Sequence, residues 1–475
     1  MLWIALYFPC LPLEAFPQAS AQPESWAVTD GPAVTVCNAQ AGARGVRSGM
    51  RLSAACALAP SLNYRPRDPA AETAALDQIA AWAGQYTPSV TLQPPCGLLL
   101  EIEGSLKLLG GIRKILESIR RGGAEMGYTL KLACAPTVAA AWLLARAGSE
   151  KIISGKRAIE SAIAPLPVAA LDCSTQTLAT LEAIGARVIG DLLQLPRDGL
   201  TRRCGQPLLD QLDRAFGVLP EARRFYAPQP RFAAELDLGT GVTSTEALLF
   251  AAKRLLTQLT GYLAGRCGGV QRFNLVLVHE DHADTVLEIG LVTPARDAGR
   301  FVTLVRERLA AHALTAPVCR IRLEADDILA LADNSGDLFP DRTNTSGDWT
   351  QLIERLRARL GADAVQGLSP RHEHRPEYAW QTIVPGTRIT QVPPRPRPLW
   401  LLAAPRALKE IAEKPHYRNG ALALIAGPER IESGWWDGGG IKRDYFVAQT
   451  PDHATLWIYR ERRQPGGWYL HGIFG

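Results

Sequence analysis

Apolar positions recur along the chain at two spacings. Leu2 to Phe8 is a nearly unbroken apolar run of strand length, and Gly97 to Glu103 and Tyr128 to Cys134 predict two further strands. Between them Ala70 to Ala83 and Thr137 to Ala147 follow a helical pattern, and Ile112, Ile115, Leu116 and Ile119 mark one face of a helix over Ile112 to Arg121. This alternation predicts an α/β or α+β domain over residues 1–165. Pro165 and Pro167 open a helical module over 166–228, with helices predicted at Thr175 to Ile184, Val188 to Leu195 and Leu208 to Phe216, broken by Gly185, Pro196 and Gly205. The tight turn at Gly185 either offers backbone N–H groups to a phosphate or simply joins two helices.

Over 234–370 the pattern is a helix from Ser244 to Leu263, strands at Val270 to Val278, Val286 to Leu291 and Val318 to Leu323, and helices around Phe301 to Ala311 and Trp349 to Leu360. It predicts a small α+β domain. Residues 371–398 end in Gln391-Val-Pro-Pro-Arg-Pro-Arg-Pro398, an extended Pro/Arg-rich linker. Residues 399–475 carry Trp400, Trp435, Trp436, Trp457 and Trp468, which predict a β-rich unit whose tryptophans form either its core or a platform for partners.

With 475 residues, 47% of them hydrophobic, the chain can bury several cores. Its 52 Lys and Arg against 47 Asp and Glu leave a charge of +5, which fits a nucleic-acid partner without demanding one. Nine scattered cysteines with no C-x-x-C spacing predict neither a disulfide framework nor a zinc knuckle, and point to a reducing cytoplasm. The apolar start precedes Ala19-Ser20-Ala21 as in a signal peptide, but it lacks a basic leader and is interrupted by Pro9, Pro12 and Glu14, so a buried strand is expected there. No stretch has the ~18–20 apolar residues of a membrane span.

Motifs with chemistry of their own are few. His279-Glu-Asp-His282-Ala-Asp284 and His372-Glu-His374 hold metal-capable groups at element ends, where polar clusters are ordinarily turns. Gly438-Gly-Gly440 and Gly110-Gly111 lack the Lys-Ser/Thr of a phosphate loop, and no Gly-x-Ser-x-Gly elbow is present.

One ordered combination is informative: Asn38-Ala-Gln-Ala-Gly-Ala-Arg-Gly-Val-Arg-Ser-Gly-Met50, then Pro95-Cys-Gly-Leu-Leu-Leu-Glu-Ile-Glu103 with Gly110-Gly111, then the Gly185 hairpin. With Gly427-Pro-Glu-Arg-Ile-Glu-Ser-Gly-Trp-Trp436, Arg443-Asp-Tyr-Phe446 and Trp468-Tyr-Leu-His-Gly-Ile-Phe474, it resembles the Y-family translesion DNA polymerases, and within them the ImuB branch, over essentially the whole chain. The resemblance implies an α+β multidomain right hand: palm and fingers over 1–165, a helical thumb over 166–228, an α+β little finger over 234–370, and a branch-specific C-terminal β-rich region.

It also implies vacancies. Nucleotidyl transfer uses carboxylates that hold two Mg²⁺ ions ~3.5–4 Å apart. At the family's three carboxylate positions this chain has Tyr7, Cys96 and Gly97. Pro9 stands at a further acidic position and Pro12 near the aromatic ribose gate. A Tyr and an Arg that contact the triphosphate in the family are here Ala39 and Gly42. Glu101 and Glu103, two residues apart on an expected strand, would share a face and are candidates for displaced carboxylates in an active polymerase, although the resemblance puts Glu101 outside the catalytic set and leaves the first-strand partner lacking.

Asn334-Ser-Gly-Asp-Leu-Phe-Pro340 resembles the bacterial sliding-clamp motif, with Ser335 in place of its Gln and Asp337, Leu338 and Phe339 intact; Pro398-Leu-Trp-Leu401 is a weaker candidate, expected to be a strand entering the C-terminal core. For DNA, the resemblance implies thumb contacts at Gly185, Arg187, Gly190, Arg197, Arg202 and Arg203 and little-finger contacts at Lys253, Arg254, Arg266 and Arg272. The implied protein needs no cofactor or metal. It is a cytoplasmic, nucleoid-associated, non-catalytic adaptor of SOS translesion mutagenesis, with DNA, the beta sliding clamp, a RecA-like ImuA protein and an error-prone C-family polymerase as partners.

Overall fold

A computed structural model describes residues 1–16, 24–331, 345–387, 389, 397–418 and 420–474. They form two compact units, Met1–Leu360 and Gly361–Gly475.

The first unit begins with β1 (Trp3–Tyr7), α1 (Leu11–Glu14), β2 (Trp26–Asp30), β3 (Ala33–Cys37), α2 (Ala39–Ala43), α3 (Leu52–Leu58), β4 (Asn63–Pro66), α4 (Pro69–Ala83), β5 (Val90–Gln93), β6 (Gly97–Glu101), α5 (Ile112–Glu125), β7 (Lys131–Ala135), α6 (Val138–Arg146) and α7 (Ile159–Ile163). An antiparallel sheet of order β5-β6-β1-β7 is the centre. Strand alternation splits β1 between two layers: Trp3, Ala5 and Tyr7 face α6, while Ile4, Leu6 and Phe8 face α4 and α5. The satellite sheet β3-β2-β4 has its own small core around Ala27, Val34, Ala41 and Ala55.

Two expected strands are shorter than their apolar runs. β6 stops at Glu101 because the backbone turns at Ile102 (φ −121°, ψ 2°) into a single 3₁₀ turn holding Glu103. β7 starts only at Lys131, because Gly127 (φ +78°) and the bond from Tyr128 N–H to the Gly123 carbonyl close the end of α5 first.

The helical module contains α8 (Thr175–Ala183), α9 (Ile189–Leu193), α10 (Arg197–Cys204) and α11 (Gln206–Phe216), and its Leu181, Ile189, Leu200 and Leu212 extend the core under α6. α10 is absent from the sequence pattern: Pro196, read there as a breaker, occupies the helix start, where a fixed φ and a missing N–H cost nothing.

Next come β8 (Phe232–Val242), α12 (Thr245–Gly265), β9 (Gly268–His279), β10 (Thr285–Ala295), α13 (Ala298–Ala311), β11 (Val318–Ala325), β12 (Ile328–Ala330) and α14 (Thr345–Leu360). The sheet, of order β10-β9-β11-β8 with β12 on β9, is covered on one face by α12 and α13. The Arg300 guanidinium grips Glu354, which is 1% exposed, and the Val292 N–H donates to the same carboxylate at 2.6 Å, fixing α14. α12 also lies against α4 at glycines: a Cβ on Gly261 would stand 2.2 Å from the Trp82 ring, and one on Gly265 2.8 Å from the backbone of Gly84.

The second unit contains the hairpin β13 (Gly367–Pro370) and β14 (Trp380–Ile383), followed by β15 (Trp400–Ile411), β16 (Lys414–Tyr417), β17 (Gly420–Ala421), β18 (Ala423–Ser433), β19 (Ile441–Gln449), β20 (Thr455–Glu461) and β21 (Gly467–Ile473). The last seven make one sheet of order β17-β16-β15-β21-β20-β19-β18. Trp468 and Leu470 sit in a core on one face, and Tyr445, Trp457 and Tyr459 in a core on the other. His471, fully buried, shares a 2.8 Å hydrogen bond with Tyr445 and faces Glu377 at 3.5 Å, and Arg443 pairs with Glu377. Of the five tail tryptophans, Trp457 and Trp468 are core while Trp400, Trp435 and Trp436 are exposed, so the two expected uses are divided among them. β15 starts at Trp400, which with Leu399 stays exposed; Leu401 is the residue of that segment that packs inward.

Candidate functional site

The central sheet brings together the three positions at which the resemblance expects carboxylates. β1–β6 register sets Tyr7 opposite Gly97, and the Phe8 N–H donates to the Cys96 carbonyl at 2.8 Å. What stands there is apolar. Trp142 of α6 meets Tyr7 edge-on, with ring centroids 5.6 Å apart, and a Cβ on Gly97 would lie 2.2 Å from the Trp142 ring. Burial pushes the Cys10 and Cys96 thiols up to about 11 and raises the Tyr7 phenol, so all three are neutral at pH 7.

Glu72, which acts on Cys96, and the candidate acids Glu101 and Glu103 at the far end of β6 are committed elsewhere. Glu72, 2% exposed, takes two 2.7 Å hydrogen bonds from Arg67. Glu101 accepts from the Leu2 and Glu103 N–H groups, and Glu103 lies off the strand and pairs with the Met1 ammonium. The expectation that Glu101 and Glu103 share a strand face is therefore wrong: the strand ends between them. These residues do not fit a paired Mg²⁺ site, and among the described residues no group of three or more His, Cys, Asp or Glu is placed to hold a metal. His279 is buried at the end of β9, bonded to the Pro317 carbonyl and the Thr285 hydroxyl. In the fingers Ala39 is an exposed first residue of α2, and open space surrounds Gly42.

The hairpin has its turn at Gly185 (φ +83°), but its amides are already satisfied. Gly185 and Ala186 N–H donate to the Glu182 and Leu181 carbonyls, Gly190 N–H donates to Ala164, and Asp191 accepts from Arg187 at 2.8 Å and Val188 at 3.0 Å. Those two amides hold the Asp191 carboxyl below its usual range. Gly185 and Gly190 thus have no N–H to offer a phosphate, contrary to expectation. The side chains of Arg187, Arg202 and Arg203 are exposed and carry no ion pair among the described residues, whereas Arg197 pairs with Asp213 at 2.6 Å.

Of the little-finger cations, Lys253 is exposed and Arg272 reaches Asp327 at 3.7 Å. Arg254 is not a surface cation: its Nη2 donates to the Glu14 carbonyl at 2.9 Å and its guanidinium stacks 4.4 Å over Tyr128. Arg266 likewise holds the Pro228 and Gln229 carbonyls. Lys253 and Arg254 edge an apolar cavity of about 1030 Å³ lined by Leu13, Phe16, Leu236 and Phe250 among others. Arg320 and Arg322, on the open face of the little-finger sheet, went unread in the sequence, although the alternation of Arg320 to Ala325, which begins after a register shift at Val318, puts them there. Beside them stand Glu235 and Glu324, so that face is of mixed sign. Asp337, Leu338 and Phe339, with Ser335, lie outside the described residues, as does most of the 391–398 linker.

Residues 17–146 match the impB/mucB/samB family. Protein ImuB of Caulobacter vibrioides, from strains NA1000 / CB15N and ATCC 19089 / CIP 103742 / CB 15, is 31% identical over 458 residues, spanning 91% of this chain and all of that protein. Among solved structures, DinB from Sulfolobus solfataricus is 18% identical, covering 70% of this chain and 100% of that one at a TM-score of 0.39; a Y-family polymerase chimera of Dbh and Dpo4 gives the same values. The mixed α/β hand, the matched family and the β-rich C-terminal region define a Y-family polymerase-like protein of DNA-damage tolerance. More narrowly, the chain belongs to the ImuB family. No described helix is long and apolar enough to cross a membrane.

Proposed function

We propose that the chain is a non-catalytic, DNA-binding adaptor of bacterial translesion mutagenesis, cytoplasmic and recruited to the nucleoid on damage. One observation carries the reading: where a polymerase needs metal-binding carboxylates this chain has Tyr7, Cys96 and Gly97, with Tyr7 and Gly97 against the Trp142 indole and Cys96 packed on the opposite layer of the sheet. Palm and fingers are assigned to 1–165, thumb to 166–228 and little finger to 234–360; the expected boundary at 370 and linker at 371–398 give way to a C-terminal interaction region from 361, because β13, β14 and the buried Arg375 belong to that unit.

DNA contact then falls to side chains rather than thumb amides: Arg187, Arg202 and Arg203 on the thumb, Lys253 and Arg272 on the little finger. With no carboxylates at the vacated positions, the palm also presents less like charge to the phosphate backbone there. The sliding clamp would be held through Asp337-Leu338-Phe339, and a RecA-like ImuA protein and a C-family polymerase would be gathered by the C-terminal region. Co-localisation is the mechanism, since each weak contact raises the effective concentration of the next. Nothing at the palm favours the active-polymerase alternative, as Glu103 is off the strand.

The test pairs primer extension in Mg²⁺ or Mn²⁺ with clamp binding on the same preparation. The expected results are no extension, and clamp affinity reduced about 30-fold or more by Leu338→Ala/Phe339→Ala, the loss typical of a hot-spot pair. Extension abolished by Glu101→Ala would sink the non-catalytic reading, and unchanged clamp binding would remove that motif from the account.

A further inference from the structure

The turn from Ser433 to Gly440 is built to hold still, yet it presents two indoles to water. Gly434 and Gly438 take φ +80° and +76°, and a Cβ on Gly434 would lie 2.6 Å from Arg375 Nη1. Arg375, 6% exposed, reaches under the loop: Nη1 donates to Asp437 Oδ1 at 3.0 Å, Nη2 lies 2.7 Å from Asp437 Oδ2, and Glu373 takes Nη2 at 2.9 Å. Above this clamp Trp435 is 82% and Trp436 59% exposed, their rings 5.4 Å apart at 82°. Tyr378, half-exposed, stacks on the same guanidinium at 4.8 Å. Large aromatics on a rigid support, left in water where burial would stabilise each by ~1.5–3 kcal/mol, mark a contact surface.

Charge and geometry decide what covers them. Residues 361–475 hold 15 Lys and Arg against 11 Asp and Glu, which is +4 of the chain's +5, while the first 360 residues are nearly balanced. Arg463, exposed and without an ion pair among the described residues, crosses Gly440, where a Cβ would lie 2.8 Å from its Nη2. Lys442, held only loosely by Glu432 at 3.8 Å, is at the same corner, because its carbonyl accepts the Arg462 N–H. Indole faces flanked by cations suit an anionic polymer that offers flat apolar rings. A duplex keeps those rings stacked inside, whereas a single strand does not.

We propose that the Trp435–Trp436 loop is a binding site for single-stranded nucleic acid, with bases stacked on the two indoles and phosphates near Arg463 and Lys442. This site is separate from the thumb and little-finger cations and does not depend on their role. The full-length protein is titrated with a labelled oligothymidylate of about 15 nucleotides, a length that covers one such site, and with a hairpin duplex. Anisotropy and intrinsic tryptophan emission are followed together. Trp435→Ala/Trp436→Ala weakens oligothymidylate binding about tenfold or more, the loss expected from removing stacking, and leaves duplex binding unchanged. Phe at both positions keeps most of the affinity, and Arg463→Ala lowers the salt slope by about 0.7. Equal oligothymidylate affinity in wild type and double Ala variant overturns the proposal. So does an equal loss for duplex and single strand, or a defect confined to binding another protein.

Discussion

At the scale of single residues, the palm's chemistry turns on one contact. Gly97 has no side chain, and the Trp142 ring occupies the space where one would project. Restoring an acid there by Gly97→Asp forces a charge into an indole with no partner, so a loss of about 3 kcal/mol or more is expected in chemical denaturation. Trp142→Ala in the same chain should relieve part of the clash. That Tyr7, Cys96 and Gly97 stand where the family resemblance expects carboxylates was legible by alignment of apolar positions, because the letters at those positions are plain. Trp142 was not, since an Ala-rich helix gives no sign of which turn reaches across to β6.

A second residue-scale expectation concerns pH. Burial drives the His471 imidazole down to about 4, below its unfolded value of about 6.5. A folded value below the unfolded one means that the unfolded chain binds the proton first, so the contribution is present above about 6.5 and lost as pH falls toward 4. The Arg443 hydrogen bond holds Glu377 low despite its burial, and the stability from that carboxylate is lost in the same direction at lower pH. Thermal unfolding from pH 7.5 to 4.5, taken as a window around those values, should show a fall of about 3 kcal/mol that His471→Gln flattens.

Among elements, the helices and strands that bury a continuous face were readable within a few residues: α4, α5, α12 and β9 lie where their periodicity put them. Ends were not, because they depend on local backbone geometry, as at Ile102 and Pro196. Nor did the sequence distinguish a DNA-facing cation from one that holds the fold. Arg254 and Lys253 are neighbours on α12, yet one is spent on Glu14 and Tyr128. The α12–α4 contact was equally hidden, as it rests on glycines that only tertiary packing explains. Gly265→Val should push α12 off the Gly84 backbone and cost about 1–3 kcal/mol, seen as a lower denaturation midpoint and faster proteolysis.

For the whole molecule, the hand architecture and the aromatic C-terminal unit were foreseeable in kind, while the uneven charge between the two units emerges only when the boundary at 360 is known. If the thumb meets phosphate by side chains alone, Arg202→Ala/Arg203→Ala should weaken duplex binding alike for every sequence. It should also flatten the plot of log affinity against log salt by about 0.9 for each phosphate no longer neutralised.

The indole at the palm also bears on the protein's history. A glycine with open space beside it can become a carboxylate without disturbing its neighbours. With Trp142 seated there, a side chain introduced at Gly97 damages the packing before it can contribute any chemistry, so on the non-catalytic reading a gain of metal binding at that position crosses a fitness valley. On that reading packing acts as a ratchet at Gly97, leaving selection free to work on surfaces and partners instead.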